Sequence, residues 1–298
     1  MIESERAIAN SQEKGNQIDA RFLFIIGAMK SGTTSLFELL SQHPEICGAR
    51  AKETDFFANN LTPERALEYM QNWQGCNIGE QYLLESSVSY TKRPFVEGVP
   101  NRIADFEKRS CHFIYMIRNP IKRMESQARH AIFAGWGKSL DEEVSDDLLA
   151  FSKYYYQLEQ YLEYFDKNSI TILKLEDFEN NPGACLKDIC ISLGIDETFE
   201  FTEAQKVRNS GDFFSLPPIL AKLTQSGFGT FISQKLLSNS AKDFLRDKLT
   251  RLFGRTQHER KVGRWQFTEA EKQEMQKELD VDLNKLSQEF NVNIDDYR

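Results

Sequence analysis

A lysine stands inside the glycine-bounded run Gly27-Ala28-Met29-Lys30-Ser31-Gly32-Thr33-Thr34-Ser35. Gly27 and Gly32 have the spacing of the phosphate-cradling loop G-x-x-x-x-G-K-[ST], in which the lysine follows the second glycine. Here Thr33 and Thr34 follow it, and Lys30 is the loop's only lysine. A helix starting at this point presents unpaired N–H groups and a positive dipole end, so Gly32, Thr33, Thr34 and Ser35 can hold a phosphate by backbone and hydroxyl groups. The displaced lysine approaches that anion from the loop's side. Mg²⁺-assisted chemistry at a γ-phosphate loses one of its regular parts. The plain alternative is an ordinary strand-to-helix turn that happens to be bounded by glycines.

In "YMIRNPIKRMESQA" an apolar run ends at Arg118, Pro120 can open a helix, and Ser126 lies two turns along it. A guanidinium at a strand end beside a helix start is a clamp for phosphate. Taken alone, an arginine there more simply pairs with a nearby acid. In "AKETDFFA", an extended chain would point Glu53 and Asp55 to one side and leave Phe56 to anchor the other. Two carboxylates facing one site can supply a general base, or one can stay protonated in the other's field. The competing reading is a pair of solvated surface acids. His43, His112, His130 and His258 match no metal or triad spacing. The five cysteines, Cys47, Cys76, Cys111, Cys185 and Cys190, are odd in number and lack ligand spacing, which reads as reduced thiols inside a cell and assigns no metal site.

The elements that must hold these residues alternate. Arg21–Ile26 is a short apolar strand, and Ser31–Ser41 has helical spacing with Leu36, Leu39 and Leu40 on one side. "QYLLESS", "CHFIYMIRNP" and "SITILKLED" read as further buried strands. Helices are expected from Pro63 behind a Thr62 cap, over "IKRMESQARHAIFAGW", from about Val144 to Phe165, and over "FTEAEKQEMQKELDVDLNKLSQEF". The aromatic cluster "KYYYQLEQYLEYF" is read as helix core, and residues 202–264 as loops and short helices. The fold class is therefore α/β, a central parallel sheet flanked by helices. In such sheets ligands bind beyond the carboxyl ends of the strands, where Lys30, Glu85 and Arg118 fall.

The whole chain limits the partners. Of 298 residues, 40% are apolar and 28% charged, which excludes a disordered or collagen-like chain. A formal charge of −8 argues against nucleic acid and anionic membranes as general partners. Residues 1–20 read as a flexible polar leader without a signal-peptide core, and residues 21–298 as a single domain. No apolar run approaches the roughly 18 residues of a membrane span, so a cytoplasmic protein is expected.

Together the segments resemble the sulfotransferases that use 3′-phosphoadenosine 5′-phosphosulfate (PAPS). "IGAMKSGTTSLFELLSQHP" resembles their 5′-phosphosulfate loop, and "IRNPIKRMESQA" their 3′-phosphate segment, in the expected order. "KETDFF", "LLESSVSY", "ILKLEDF" and "VDLNKLSQEFNVNIDDY" extend the likeness over most of the chain from Arg21, in the style of bacterial and heparan-type members. The resemblance implies a P-loop-type three-layer fold, PAPS as co-substrate, 3′-phosphoadenosine 5′-phosphate (PAP) as product, and no metal requirement. Lys30 would steady charge on the departing bridging oxygen, with Ser31, Gly32, Thr33, Thr34 and Ser35 around the 5′-phosphate. Arg118 and Ser126 would grip the 3′-phosphate, and Arg260, Lys261 and Gly263 of "ERKVGRW" resemble the loop that closes over it. Glu53 and Asp55 would sit beside the acceptor, a small molecule, lipid or saccharide sulfated on a hydroxyl or, secondarily, an amine. The sequence also departs from the family: Asp55 occupies a position that often holds histidine, and Ser86 one that holds lysine in heparan-type members. A kinase using the same loop, and a nucleotide-binding relative without turnover, are the rival readings.

Overall fold

The computed structural model describes residues 20–77, 79–107, 111–133, 146–202 and 266–297. Five strands form the sheet: β1 (Arg21–Gly27), β2 (Ile46–Gly48), β3 (Tyr82–Ser86), β4 (His112–Ile117) and β5 (Ile170–Lys174). Their order is β2-β3-β1-β4-β5 and every pairing is parallel. β1 therefore lies at the centre. Its residues 22–27 are all buried, which is why this segment reads as an unbroken apolar run and not as an alternation.

Parallel neighbours need crossovers, and helices supply them. They are α1 (Thr33–Leu40), α2 (Pro63–Met70), α3 (Val99–Phe106), α4 (Pro120–Phe133), α5 (Asp146–Ala150), α6 (Tyr154–Leu162), α7 (Leu175–Asn180), α8 (Pro182–Leu193) and α9 (Glu269–Phe290). The local signals explain several starts. Thr62 accepts a hydrogen bond from the Arg65 N–H ahead of Pro63, and Thr268 with Glu271 forms a capping box for α9. Successive residues of β1 face opposite ways, and the layers follow from that. Leu23 and Ile25 pack with Leu36, Leu40, Phe178 and Ile189 from α1, α7 and α8. Phe22 and Phe24 face an aromatic layer, Phe22 against Tyr69, Trp73 and Phe106, and Phe24 against Phe57 and Phe113. Helices thus cover both faces of the sheet, the expected three layers.

The polar strand ends align. Phe24 pairs with Glu85 and Ile25 with Ser86, while Gly27 pairs with Tyr115 of β4 after a register shift. The loop after β1, the segment after β3 and Arg118 after β4 consequently emerge at one edge of three adjacent strands. The chain divides into two compact units, the first comprising Met1–Gln127, Val144–Asn209 and Thr268–Arg298, the second Ala128–Glu143 and Ser210–Phe267. The sheet and every residue of the site described below belong to the first.

Two sequence expectations change. The three-residue strand β2 is too short to show a period, and it was not foreseen. Cys47 of β2 and Cys76 form a disulfide across 29 residues, with Cα atoms 5.8 Å apart, instead of remaining reduced thiols. Sequence spacing could not reveal that the turn after α2 returns to the edge strand. Cys185 and Cys190 form no disulfide. Among the described residues, no helix is long and apolar enough to cross a membrane.

Candidate active site

The loop between β1 and α1 is built by close approach. Gly27 has φ +147°, and a Cβ there would stand 2.1 Å from Thr91 Oγ1; Gly32 has φ +86°, and a Cβ there would meet Leu175 Cδ1 at 2.7 Å. Both glycines are thus required by backbone conformation and by space. Lys30 itself adopts φ +70°. Gly32 caps α1 without any side-chain bond, so the first N–H groups of the helix are left for a ligand. Ser31 is fully buried and its Oγ has no hydrogen-bond partner among the described residues. Thr33 is buried, Ser35 half-buried and Thr34 exposed. A buried hydroxyl without a partner, beside a glycine cradle and an uncapped helix start, fits an anion carrying several acceptor oxygens.

Arg118 reaches this loop directly. Its Nη1 donates to the Lys30 carbonyl at 3.4 Å, which joins the cationic features that the sequence places 88 residues apart. Its backbone is fixed by Tyr154, whose hydroxyl donates to the Arg118 carbonyl at 2.6 Å. The next N–H, Asn119, donates to Glu176 Oε1 at 3.0 Å, and Tyr297 Oη donates to Glu176 Oε2 at 2.8 Å. The "LEDF" and "DDY" segments therefore meet at one carboxylate behind the start of α4. Ser126, on α4, is buried.

Arg123 escaped the sequence reading, which left it on a helix face next to Lys122. It is completely buried, and its guanidinium donates to Ser152 Oγ (2.8 Å), Gln127 Oε1 (2.6 Å), the Leu148 carbonyl (2.9 Å) and the Met29 carbonyl (3.4 Å). Those acceptors are neutral, and no carboxylate pairs with Arg123 among the described residues. Burial pulls its pKa below the ordinary guanidinium value. Its charge adds to a positive field under the loop.

The acidic segment is not extended. Glu53 and Asp55 have φ +60° and +50°, so the two-residue alternation that would align them does not operate. They converge by another route. The Glu53 N–H donates to the Ser86 carbonyl at 2.9 Å, and Glu53 Oε2 accepts from the Val88 N–H at 2.8 Å. The Asp55 N–H donates to Ser87 Oγ at 3.1 Å, and Asp55 Oδ1 accepts from Ser89 Oγ at 2.5 Å. Lys52 pairs with Glu53. Both carboxylates are thereby pinned to the stretch that follows β3.

Glu85 explains the pinning. It is fully buried, and Thr54 (2.6 Å), Ser87 (2.7 Å), Tyr90 (2.8 Å) and Tyr69 (2.8 Å) each donate a hydroxyl to its carboxylate. Burial raises its pKa, and these bonds oppose the rise. Glu85 ties Thr54, the residue between Glu53 and Asp55, to Ser87 and Tyr90. Lys92, half-buried at the end of the same stretch, was also missed. Burial lowers its pKa, and Asp55 and Glu53 pull it back up. Arg260, Lys261 and Gly263 lie outside the described residues. The one grouping of metal-ligand types among the described residues, Cys47, Cys76 and Glu80, contains the disulfide sulfurs.

Comparison with known proteins places the chain in a family. The chain is 30% identical over 99 residues to heparan sulfate glucosamine 3-O-sulfotransferase 5 of Mus musculus, covering 33% of this chain and 27% of that protein. It is 23% identical over 227 residues to human bifunctional heparan sulfate N-deacetylase/N-sulfotransferase 2, covering 68% of this chain and 25% of that one. It thus spans about a quarter of the length of these curated relatives. A sulfotransferase structure from Alicyclobacillus acidocaldarius superposes with a TM-score of 0.52 at 25% identity, over 78% of this chain and 96% of that one. Residues 21–211 match the model of the sulfotransferase domain, and with that match over most of its length the chain belongs to the sulfotransferase family.

Proposed function

We propose that this protein transfers the sulfuryl group of PAPS to a hydroxyl of a small-molecule, lipid or saccharide acceptor, without a metal ion. The observation that supports this reading is the hydrogen bond from Arg118 to the Lys30 carbonyl, which sets the two segments that would grip the donor's phosphates side by side. A nucleotide with phosphates at both ends needs such a pair. Ser31, Gly32, Thr33, Thr34 and Ser35 would surround the 5′-phosphate, and Arg118 with Ser126 would hold the 3′-phosphate. Lys30 would stabilise the charge that grows on the bridging oxygen. The acceptor oxygen bonds to sulfur as the sulfur–oxygen bond to the nucleotide breaks. Its proton passes to Glu53, and PAP leaves with the electron pair.

Calorimetry with PAP in excess chelator tests the donor site. Tight binding without divalent metal is expected, because Lys30, the helix start and the arginines already supply the positive field. Arg118→Ala should weaken PAP by on the order of 1.5–3 kcal/mol, the worth of a charge-assisted clamp. Lys30→Ala should depress turnover more than PAP affinity. A requirement for Mg²⁺, or tighter binding of ATP, would transfer the reading to a kinase.

A further inference from the structure

A loop that holds an anion must turn N–H groups toward it and carbonyl oxygens away, because the oxygens carry partial negative charge. The loop after β1 has two consecutive carbonyls turned onto guanidinium groups. The Lys30 carbonyl accepts from Arg118 Nη1 and the Met29 carbonyl from Arg123 Nη1, each at 3.4 Å. In a trans peptide the N–H points opposite to the C=O, so the Lys30 N–H is directed away from Arg123. The Ser31 N–H, in the peptide held by Arg118, closes the turn on the Ala28 carbonyl at 3.2 Å. Arg123 itself is fixed on every side. Its backbone N–H donates to the Asn119 carbonyl at 2.9 Å, which sets it at the head of α4. The rest of its guanidinium is held by Ser152 Oγ, Gln127 Oε1 and the Leu148 carbonyl, and the Ser152 hydroxyl donates to that same carbonyl at 3.0 Å. These acceptors are all neutral, the arginine is completely buried, and two like charges aimed at one loop repel each other. Such an arrangement is costly until an anion arrives on the loop's other side.

We propose that Arg123 is a positioning residue of the donor site: it holds the Met29 carbonyl back from the anion and strengthens nucleotide binding by a charge one hydrogen bond behind the loop, without touching the nucleotide. The inference rests on the sulfotransfer reading, which supplies the anion. Its task differs from those of Lys30, Arg118 and Ser126, all of which would contact the donor. An arginine suits the place better than a lysine, since its planar fork serves four acceptors at once and keeps its charge when buried. A methionine would fill much of the same space with no charge to bury. Packing alone therefore does not call for the arginine.

Titration of wild type, Arg123→Met and Arg123→Ala with PAP, each beside its thermal unfolding curve, is the test. Arg123→Met should keep a cooperative thermal transition and bind PAP about tenfold or more weakly, the worth of one hydrogen bond to a charged group. Arg123→Ala opens a hole of the guanidinium's shape, and methylguanidinium at a non-denaturing concentration should recover most of the lost PAP affinity. Methylurea, planar and of nearly the same size but uncharged, should not. Wild-type PAP affinity in Arg123→Met would overturn the inference alone, and so would equal recovery by methylurea, since packing would then account for the effect. Loss of the cooperative transition in Arg123→Met would also overturn it, by making the arginine a residue of the fold. If neither compound acts on Arg123→Ala, the Arg123→Met titration decides by itself. A wild-type chain that binds no PAP would overturn the sulfotransfer reading, and this inference with it.

Discussion

Glu53 and Asp55 reach the same stretch by different bonds, and that difference separates their roles. Glu53 is more exposed, and one carboxylate oxygen is engaged by the Val88 N–H while the other pairs with Lys52. Asp55 accepts from the Ser89 hydroxyl and sits at the left-handed entry to a buried turn of Phe56 and Phe57. Glu53→Gln keeps shape and removes basicity, so transfer from labelled PAPS should fall by about 10²–10⁴-fold with PAP affinity nearly unchanged. Asp55→Asn should cost less. The reverse ranking would exchange the two roles. The donor residues were legible because glycine, lysine and arginine at strand ends carry their chemistry in local spacing. Arg123 and Lys92 were not, because their meaning depends on which neighbours the crossovers deliver. Nothing in "KRMES" marks one cation as exposed and the next as buried.

Four of the five strands were legible from their apolar runs, and β2, too short for a pattern, was not. What the runs could not convey is which strands adjoin, and hence that His112 at the start of β4 would face Thr171 of β5, with Nε2 2.8 Å from its Oγ1. Burial, helped by the nearby Arg21, depresses the His112 pKa from 6.5 to about 4. Between those values the unfolded chain binds the proton and the folded chain does not. Stability should therefore be complete above pH 6.5 and fall as pH drops toward 4, by at most about 3 kcal/mol before solvent screening reduces it. Asp282 works the other way. Burial raises its pKa to about 6 although it accepts the N–H groups of Tyr155 and Tyr156, so its contribution is lost as pH rises through that value. Urea midpoints of wild type and His112→Gln across this window isolate the histidine: the variant should show the shallower acid decline. Parallel curves would show that the histidine titrates alike in both states.

Across the whole molecule, the feature furthest from any sequence signal is the bond between Cys47 and Cys76. The segment it encloses carries Glu53, Asp55 and Tyr69, so it closes off the wall proposed to face the acceptor and leaves the loop between β1 and α1 outside. Closing a loop of this length is worth roughly 3–4 kcal/mol in the chain-entropy account. Added reductant should lower the urea midpoint of wild type, leave Cys47→Ser unmoved, and spare PAP affinity. Loss of PAP binding on reduction would mean that the two walls are not independent. Tyr297 has a practical consequence of another kind. Its hydroxyl is one hydrogen bond from Glu176, Glu176 is one hydrogen bond from Asn119, and Asn119 adjoins Arg118, so the segment around Tyr297 braces the backbone beside the proposed 3′-phosphate residue. A change that disturbs residues 295–297 should then be read out at the nucleotide, as PAP affinity about fivefold weaker, the worth of one lost hydrogen bond. Tyr297→Phe, with the rest of the segment unchanged, should reproduce that loss, and an unchanged PAP affinity in it would confine Tyr297 to packing.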